Sequence, residues 1–562
     1  MTTRTIQQHL SRIPEIVLRF VVTTIVLGFS VSLASADDPI LKVDGGRIRG
    51  VSREVEGKKV SAYLGIPFAA PPTRKLRWRP PQPVKSWKGI KKCDQFAPAC
   101  PQPPGLSYGY EFKNQSEDCL YLNVWTPTLR KGKLPVMVWI HGGGNLIGGT
   151  EWPVYDGEHF AASGVVFVTI QYRLGPFGYF SHPALTAEAK KLDGRETCGN
   201  YGLLDQIAAL KWVQQNIHNF GGDKNKVTLF GESAGAANVT YLMASPLAKG
   251  LFHQAIAQSG YYGEYTPSLR KRVNGNLSGH KNGLAFGERF GIKGTDAKSL
   301  AALRRLSVEK MSTVPLMISG APPVPGRFTF GPIVDGYVLP EDPSDVWAAG
   351  RMHKLPLIAG SNLDDGSVFS RNRPITTWLA YQFALQQLFG KDAGKARKLF
   401  PVNDTKDVPA AVHKIATLMA FRAPARRLVR AIQSTGKTAW LYHFSRNPKS
   451  PKSLREGVFH ALEVGYVFRT NDFKQNQIDK HISQQMHQRW VNFARFGNPN
   501  GKPKRKQVAP VWPNYTAKQD QHLEFGDRVT IDEHLDAEYL ELMDRAAERM
   551  RAKNETLPQS RN

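Results

Sequence analysis

The sequence predicts an α/β protein built on a central, mostly parallel, twisted sheet with helices on both faces. Three consecutive segments support this: an apolar strand-like run at Val165–Arg173, apolar residues at helical spacing from Gly199 onward, and a second apolar run at Lys226–Phe230. A strand, a helix and a further strand in this order are typical of a βαβ unit, whose two strands lie parallel. We therefore expect crossover helices to cover both faces of an open sheet.

The rest of the chain continues this pattern. Apolar runs bounded by turn residues predict strands at LKVDGGRIRGVS from Leu41, YLGIPFA from Tyr63, LYLNVWTP from Leu120, PVMVWIH from Pro135, FHQAIAQSG up to Gly260, LPLIAGSNLDDG up to Gly366, and Ala439–Phe444. Residues 367–437 are predicted to be mostly helical, and 261–332 to form a polar, lid-like insertion. A C-terminal amphipathic helix should end in a frayed tail at residues 552–562. We expect one domain over residues 37–562.

The N-terminus carries the pattern of a secretory signal peptide over residues 1–36. Three arginines precede an apolar run from Phe20 to Leu33, which ends in an Ala-Ser-Ala cleavage pattern at Ala36. An uncleaved anchor is the alternative, but the run is shorter than the roughly 20 residues that a membrane span needs. We expect cleavage after Ala36, a secreted or periplasmic protein, and no stable membrane insertion.

The composition indicates a folded protein with a large positive charge. Hydrophobic residues make up 41% and charged residues 22%, which argues against disorder and against a membrane bundle. The formal net charge is +28, with basic clusters at Arg74–Arg79 and Lys502–Lys506. Nucleic acid is the usual partner of such a charge, but no aromatic-interleaved RNA motif or recognition module is present. We interpret the charge as a solvated basic surface that adsorbs at most to anionic polymers of the cell envelope.

The stretch KVTLFGESAG, Lys226–Gly235, contains the clearest candidate for a catalytic residue. Its G-x-S-x-G pattern is typical of a tight, strained strand-to-helix turn, in which the serine hydroxyl stands above the sheet and the glycines leave room for the bend. A helix beginning at Ala234 would add free N–H groups beside that hydroxyl. Ser233 is therefore a candidate nucleophile. The alternative is a glycine-rich turn whose serine only caps the helix.

A second glycine-rich stretch follows the predicted strand at Pro135. The strand ends in His141 and Gly142–Gly144, which leave backbone N–H groups unshielded by side chains. In an acyl-transfer enzyme these amides, with the N–H of Ala234, would bind the negative oxygen of the tetrahedral intermediate. A phosphate loop is excluded because no Lys-Ser or Lys-Thr follows the glycines. A flexible glycine loop is the alternative.

A nucleophilic serine needs a base to take its proton and an acid to orient that base. Asp364 and Asp365 follow a predicted strand, and His460 lies in a later loop, so the chain order is nucleophile, acid, histidine. The residues alone leave both aspartates open as the acid. Three other histidines also stay open as alternatives to His460: His413, His443 and His487.

Over nearly its whole mature length the chain resembles the type-B carboxylesterase and cholinesterase family. The motifs that carry the resemblance are YLGIPFAAPP, SEDCLYLNVWTP, HGGG, NYGLLDQ, FGESAGA, QSG, GSNLDDG, FHALE and WVNFARFGNPN. The resemblance implies an α/β-hydrolase fold and a serine esterase that needs no metal or organic cofactor. It implies Ser233 as nucleophile, His460 as base, and Asp365 as acid where many relatives carry glutamate. Asp364 stays open as a substitute.

The resemblance also implies supporting roles in the site. The backbone amides of Gly143, Gly144 and Ala234 fall at the oxyanion-binding positions. Glu232 and Ser259 fall where relatives support the histidine from behind, although ordinary buried hydrogen bonding would also explain them.

Two further implications concern the cysteines and the pocket. The family disulfide near the N-terminus maps onto Cys100 and Cys119, whereas Cys93 and Cys198 either pair with each other or stay free. Asn145 stands where relatives commonly carry an aromatic or small apolar residue that lines the pocket. We therefore expect Asn145 to line the substrate pocket and to favour esters with hydrogen-bonding groups.

The sequence thus predicts a secreted or periplasmic serine carboxylesterase that cleaves small-molecule carboxylic esters through an acyl-enzyme. Its positive charge favours polar or anionic esters through long-range attraction. A lipase is one alternative, but the segment 261–332 is too polar for the apolar lid that a lipase needs. A non-catalytic binding protein of the same fold is another, but such relatives typically lose the serine or the histidine, and this chain keeps both.

Overall fold

The computed structural model describes residues 39–556 except for the internal segments 105–109, 128–131, 261–265, 274–275, 318–326, 368–374, 472–475 and 503–509. Residues Ile40–Asn562 form one compact unit. The expected signal peptide lies outside the described residues. Within the described part, every helix is too short or too polar to cross a membrane.

A large mixed sheet forms the centre of this unit. In the described part of the chain, eleven strands pair in the order β16-β15-β14-β13-β10-β9-β7-β8-β6-β4-β3. The pairings from β8 through β15 are all parallel, and antiparallel pairs close both edges. The strands are β1 Ile40–Val43, β2 Gly46–Arg49, β3 Val51–Val55, β4 Lys58–Pro67, β5 Ile90–Lys92, β6 Tyr121–Pro127, β7 Leu134–Ile140, β8 Val166–Ile170, β9 Gly222–Glu232, β10 Gln254–Gln258, β11 Leu316–Met317, β12 Phe328–Thr329, β13 Leu357–Asn362, β14 Ala439–Phe444, β15 Gln521–Phe525 and β16 Val529–Glu533.

Helices surround the sheet and follow most of its parallel strands. The α-helices are α1 Glu158–Ala162, α2 Gly175–Tyr179, α3 Pro183–Asp193, α4 Tyr201–Asn216, α5 Ala234–Ala244, α6 Gly279–Arg289, α7 Ala297–Arg304, α8 Val308–Ser312, α9 Pro343–Ala348, α10 Trp378–Phe389, α11 Ala393–Leu399, α12 Val408–Thr417, α13 Ala423–Ser434, α14 Pro451–Glu456, α15 Val464–Phe468, α16 Gln477–Phe496 and α17 Ala537–Thr556. A π-helical turn at Leu418–Arg422 joins α12 to α13.

The apolar core lies on both faces of the sheet because side chains alternate along each strand. In β7, Val136, Val138 and Ile140 belong to one buried cluster, whereas Met137 and Trp139 belong to the cluster on the other face. Fully buried parallel strands read as continuous apolar runs in sequence, which is why these strands could be predicted. The predicted α/β class with a mostly parallel sheet is confirmed.

The structure adds detail in two predicted segments. The described part of the predicted insertion 261–332 contains α6, α7, α8 and the short parallel pair β11 and β12. The C-terminal helix α17 continues to Thr556, past the predicted start of a frayed tail at residue 552. Tyr539, Leu540, Leu542 and Met543 pack in a third apolar cluster with α10 and α12, which anchors that helix.

Candidate active site

Ser233 occupies the turn between β9 and α5 with strained backbone angles of φ 56° and ψ −124°. A residue with a side chain adopts such angles only where the surrounding structure enforces them. A Cβ added to Gly235 would lie 2.0 Å from the carbonyl oxygen of Ile140, and one on Gly231 would lie 2.7 Å from the same oxygen. The two glycines therefore let β9 and α5 approach β7 closely enough to form the turn.

The ring of His460 is held by Asp365 through a hydrogen bond of 2.8 Å between Nδ1 and Oδ1. Asp365 is completely buried, and its other oxygen accepts the backbone N–H of Asn362 at 2.6 Å. The ring of Phe421 packs against His460 with centroids 4.8 Å apart. Because an ionised carboxylate only accepts hydrogen bonds, Asp365 fixes the proton on Nδ1 and leaves Nε2 of the neutral imidazole unprotonated.

Asp364 has different partners. Its Oδ1 lies 3.3 Å from Nε2 of His413, and its Oδ2 accepts the backbone N–H of Val458 at 2.8 Å. Asp364 therefore ties its own loop to the loop that leads into His460. The structure brings Asp365, and not Asp364, to the histidine.

The other candidate histidines have partners other than Asp365. His413 contacts Asp364, His443 hydrogen-bonds Glu524 through Nδ1, and His487 lies between the hydroxyl of Ser163 and the carbonyl of Val467.

Glu232 supplies a second carboxylate on the opposite side of His460. Its Oε1 lies 3.0 Å from His460 Nε2, yet this oxygen accepts no hydrogen bond within the described residues, so the interaction is Coulombic. Burial raises the pKa of Glu232 to about 8, although His460 opposes the shift. Burial also opposes protonation of His460, but Glu232 and Asp365 outweigh it and raise the pKa of His460 to about 9. The site therefore stabilises the imidazolium that forms when His460 accepts a proton.

Glu463, which the sequence analysis did not select, is a third buried carboxylate in the site. Its oxygens accept hydrogen bonds from Gln258 at 3.1 Å and from Asn362 at 2.6 Å. Burial raises the pKa of Glu463 to about 7. Trp490 donates to Gln258 at 2.9 Å and fixes the direction of that amide. Glu463 is the last residue of the FHALE motif, three residues after His460 and directly before α15.

The glycine loop after β7 lies against the nucleophile. A Cβ added to Gly142 would lie 3.1 Å from the Cβ of Ser233. Gly143 and Gly144 have positive φ angles of 106° and 65°, which turn the chain sharply. Ala234 is the first residue of α5, so its N–H is one of the unpaired donors of a helix N-terminus. The predicted oxyanion-binding segments therefore lie next to Ser233.

A cavity of about 330 Å³ opens over these residues. Ser233, His460, Glu232 and Gly143 form its chemically active side. Three further polar side chains line the cavity: Ser450, Lys452 and Asn471. The rest of the lining is aromatic, aliphatic or glycine: Tyr110, Phe112, Ile147, Trp152, Val154, Tyr155, Phe459, Ala461, Leu462, Val464, Gly142, Gly148 and Gly465. Such a cavity suits a small ligand with an apolar body and a few polar groups.

Asn145, predicted to line the substrate pocket, has a buried side chain beside the glycine loop. Its Oδ1 accepts hydrogen bonds from Tyr179 at 3.1 Å and from Asn238 at 2.8 Å. Its φ of 59° is a conformation that asparagine tolerates better than most residues. These hydrogen bonds hold the backbone that follows the glycine loop.

Ser259 is buried immediately after β10, and its N–H donates to the carbonyl of Gly360 at 2.9 Å. Its hydroxyl makes no hydrogen bond within the described residues. Of the two expected supporting residues, only Glu232 contacts His460 in the structure.

The disulfide expected between Cys100 and Cys119 is absent from the structure. Both residues are buried free thiols, and the Sγ of Cys100 accepts the backbone N–H of Leu174 at 3.2 Å. The two thiols meet through a hydrogen bond, which together with burial raises the pKa of Cys119 well above its usual value. Cys93 and Cys198 are also buried free thiols, so these two do not pair either.

A group of side chains that metals favour lies near the acid loop. His443, His522 and Glu524 bring ligand atoms within 4.8 Å of one another. Nδ1 of His443 lies 2.7 Å from Glu524, and its Nε2 accepts a hydrogen bond from Arg422 at 2.8 Å. A metal on Nδ1 would move the ring proton to Nε2, where it would face the Arg422 donor. The geometry therefore fits an internal hydrogen-bond network better than a metal site.

Comparison with known proteins agrees with this geometry. The Carboxylesterase family model matches residues 37–543. A fumonisin B1 esterase of Sphingopyxis macrogoltabida is 37% identical over 89% of this chain and 89% of the relative. A para-nitrobenzyl esterase of Bacillus subtilis is 34% identical over 89% of this chain and 97% of the relative. Liver carboxylesterase 1 of Oryctolagus cuniculus is 34% identical over 87% of this chain and 90% of the relative. The chain therefore belongs to the carboxylesterase family of α/β-hydrolases and is a carboxylic-ester hydrolase.

Proposed function

We propose that this carboxylesterase is a secreted serine esterase whose catalytic triad is Ser233, His460 and Asp365. The observation that carries the proposal is the buried 2.8 Å contact between His460 and Asp365 beside a cavity that also contains Ser233. A serine in a strained turn, an oriented histidine and a buried acid are the parts that acyl transfer requires.

The proposed reaction has two halves. Nε2 of His460 takes the hydroxyl proton of Ser233 as Oγ attacks the ester carbonyl, and the amides of the glycine loop and Ala234 bind the resulting oxyanion. The imidazolium then gives its proton to the departing alcohol, which leaves an acyl-enzyme. Water, deprotonated by His460, attacks the acyl group and releases the acid and the free serine.

Hydrolysis of short-chain 4-nitrophenyl esters by the mature protein and by Ser233→Ala tests this proposal. We expect kcat to fall by a factor of about 10⁴ or more in the variant, because only binding and the oxyanion donors remain. A circular-dichroism spectrum that matches wild type would show that the fold is intact. Equal activity of the two proteins would contradict the triad.

Export is a separate part of the proposal. Its support is the basic, apolar and small-residue pattern of residues 1–36. Expression of the full chain in a bacterium, followed by mass spectrometry of the periplasmic protein, should give an N-terminus at Asp37. An intact N-terminus in the cytoplasm would contradict export.

The substrate is proposed to be a polar or anionic ester. Two observations support this: the net charge of +28, and Lys452 in the cavity wall, with its ammonium 4.2 Å from the ring of Phe459. Phe459 precedes His460, so this cation lies near the reacting centre. A carboxylate on the substrate could form a charge-assisted hydrogen bond with Lys452.

A pair of esters of similar shape tests this preference. The two esters are mono-4-nitrophenyl succinate, which carries a carboxylate, and 4-nitrophenyl butyrate, which does not. Lys452→Met should lower kcat/KM for the succinate relative to the butyrate about tenfold, the value of one charge-assisted hydrogen bond. Lys449→Met, at an exposed lysine two residues before the helix that carries Lys452, is the matched control. An unchanged ratio in Lys452→Met would contradict the role of Lys452.

A further inference from the structure

One helical segment contacts both the loop that carries the acid of the proposed triad and the ring of its base. It consists of α12, the π-helical turn Leu418–Arg422 and α13. A π turn contains an extra residue, so it shifts which side chains face a given direction, and such turns are frequent at functional sites. Here the turn lets the neighbouring residues Phe421 and Arg422 both point toward the active site.

Four contacts connect this segment to the loop that carries Asp365 and to the loop that carries His460. Thr417 Oγ1 accepts the backbone N–H of Gly366 at 2.9 Å, and His413 lies 3.3 Å from Asp364. The ring of Phe421 packs on His460 at 4.8 Å between centroids. Arg422 Nη2 donates to the backbone carbonyl of Leu363 at 3.2 Å. Three of the four contacts reach residues on either side of Asp365 in the sequence: Leu363, Asp364 and Gly366.

Arg422 is the most constrained of these residues. Its side chain is only 8% exposed, and its Nη1 forms an ion pair with Asp536 just before α17. Its Nη2 also donates to His443 Nε2 at 2.8 Å. The planar guanidinium is held at both terminal nitrogens, Nη1 and Nη2, so it cannot rotate. The N–H that Nη2 directs toward the Leu363 carbonyl therefore has a fixed direction.

His443 is itself oriented, which completes the chain of contacts. Glu524 accepts the Nδ1 proton of His443 at 2.7 Å, so Nε2 is left as the acceptor for Arg422. The network Glu524, His443, Arg422 and Asp536 thus connects the edge of the sheet and the C-terminal helix to the acid loop.

We infer that Arg422, placed by the π turn, is a positioning residue that holds the loop of Asp365 in register with His460. This inference rests on the proposed triad of Ser233, His460 and Asp365. Asp365 has no freedom to compensate, because one oxygen binds Asn362 and the other binds His460. Displacement of a catalytic group by about 1 Å costs up to about 100-fold in rate.

The matched control is Arg426, one helical turn further along α13. Its side chain is 2% exposed and pairs with Asp520 at 3.3 Å and Asp544 at 2.8 Å. Arg426 is thus also a buried, charged arginine, but it is anchored to α17 and the segment before β15. Removal of Arg426 measures the cost of losing any buried arginine of this helix.

The experiment compares Arg422→Gln, Arg422→Lys and Arg426→Gln in the mature protein. Active sites are counted by fluorophosphonate labelling, and kcat, KM, Tm and the pH profile of kcat are measured. We expect Arg422→Gln to lose about 10- to 100-fold in kcat per labelled site with KM unchanged. Arg422→Lys should recover part of this loss. Arg426→Gln should lose Tm but keep kcat within about twofold, as expected of a structural change alone.

The pH profile adds a readout that loss of stability alone would not move. Asp365 favours protonation of His460, so a looser contact should move the acid limb of the profile to lower pH in Arg422→Gln. Arg426→Gln should keep the wild-type limb. If Arg422→Gln does not fold, Arg422→Lys and Asp536→Asn, which removes the anchor of Arg422, decide the question with the same readouts.

Equal kcat losses in the Arg422 and Arg426 variants, or unchanged kcat and pH limb in the Arg422 variants, would overturn the inference. The failure of the triad is a different outcome. It would appear as hydrolysis that persists in Ser233→Ala, whatever the arginine variants do.

Discussion

The strand-to-helix turn at residues 231–235, here called the elbow, and the surroundings of His460 reach their geometry in opposite ways. The elbow is local, because its strained angles and close packing come from five consecutive residues against one neighbouring strand. His460 gains its environment from Asp365 after β13, Glu232 at the end of β9, Phe421 in the π turn and Glu463 just before α15. The position of Ser233 is thus specified by a short motif, whereas the surroundings of His460 are assembled from distant parts of the chain.

The two regions also differ electrostatically. Ser233 lies in a strained turn beside backbone N–H groups, whereas His460 lies among three buried carboxylates. Changes in the elbow should therefore alter geometry without moving pH behaviour. Changes around His460 should alter protonation without unfolding the protein.

The largest effect is expected from the acid of the triad. Asp365→Asn keeps the shape but removes the charge that fixes Nδ1–H on His460, so kcat should fall by a factor of about 10⁴. Asp364→Asn is the neighbouring control, and because Asp364 contacts His413 and Val458 it should lose less than about tenfold in kcat. The ratio of the two losses is measured with 4-nitrophenyl esters at saturating substrate. Similar losses in both variants would show that the two aspartates share the role.

A smaller effect is expected from the elbow. Gly235→Ala would force a Cβ to within 2.0 Å of the Ile140 carbonyl, so the strand and helix must separate. We expect a loss of about 3 kcal/mol in the free energy of unfolding, with kcat lowered and its pH profile unchanged. Gly394→Ala is the control, because a Cβ there meets no atom within 4 Å and the residue lies in helix α11. That control should stabilise the protein slightly, since alanine favours helix. Urea unfolding measures both values, and equal stability of the two variants would contradict the account of the elbow.

The smallest loss of rate, but the clearest change in pH dependence, is expected from Glu232→Gln. Activity needs neutral His460, so it rises as pH rises through the pKa of that residue. Glu232 raises this pKa, so its removal should move the acid limb of kcat/KM to lower pH. The rate at high pH should change by about tenfold or less. A limb that stays in place or moves upward would show that Glu232 does not act on His460 through its charge.

The sequence predicted well whatever depends on short stretches of chain. Buried parallel strands such as β7 and β8 are continuous apolar runs, and the elbow is a fixed pattern of residues, so both could be recognised. His460 and Asp365 could be proposed from chain order and resemblance. The choice between Asp364 and Asp365 could not, because adjacent residues point in different directions and only the fold decides which one meets His460.

Contacts between distant residues were not predicted. Asn145 was expected to line the pocket because relatives carry a pocket-lining residue at that position, and the structure adds hydrogen bonds from Tyr179 and Asn238 to its amide. Glu463 was missed because a buried carboxylate has no local signature. Its burial depends on hydrogen bonds from Gln258 and Asn362, which lie far away in the sequence.

The most direct test of the central claim is the rate at which a fluorophosphonate modifies Ser233 at neutral pH. Peptide mass spectrometry should locate the label on Ser233 in wild type, and Asp365→Asn should react more slowly by orders of magnitude, while Asp364→Asn stays within about tenfold of wild type. This result would tie the reactivity of the nucleophile to the buried acid behind His460. A label on another residue, or equal labelling rates in wild type and Asp365→Asn, would contradict the claim that Asp365 and His460 activate Ser233.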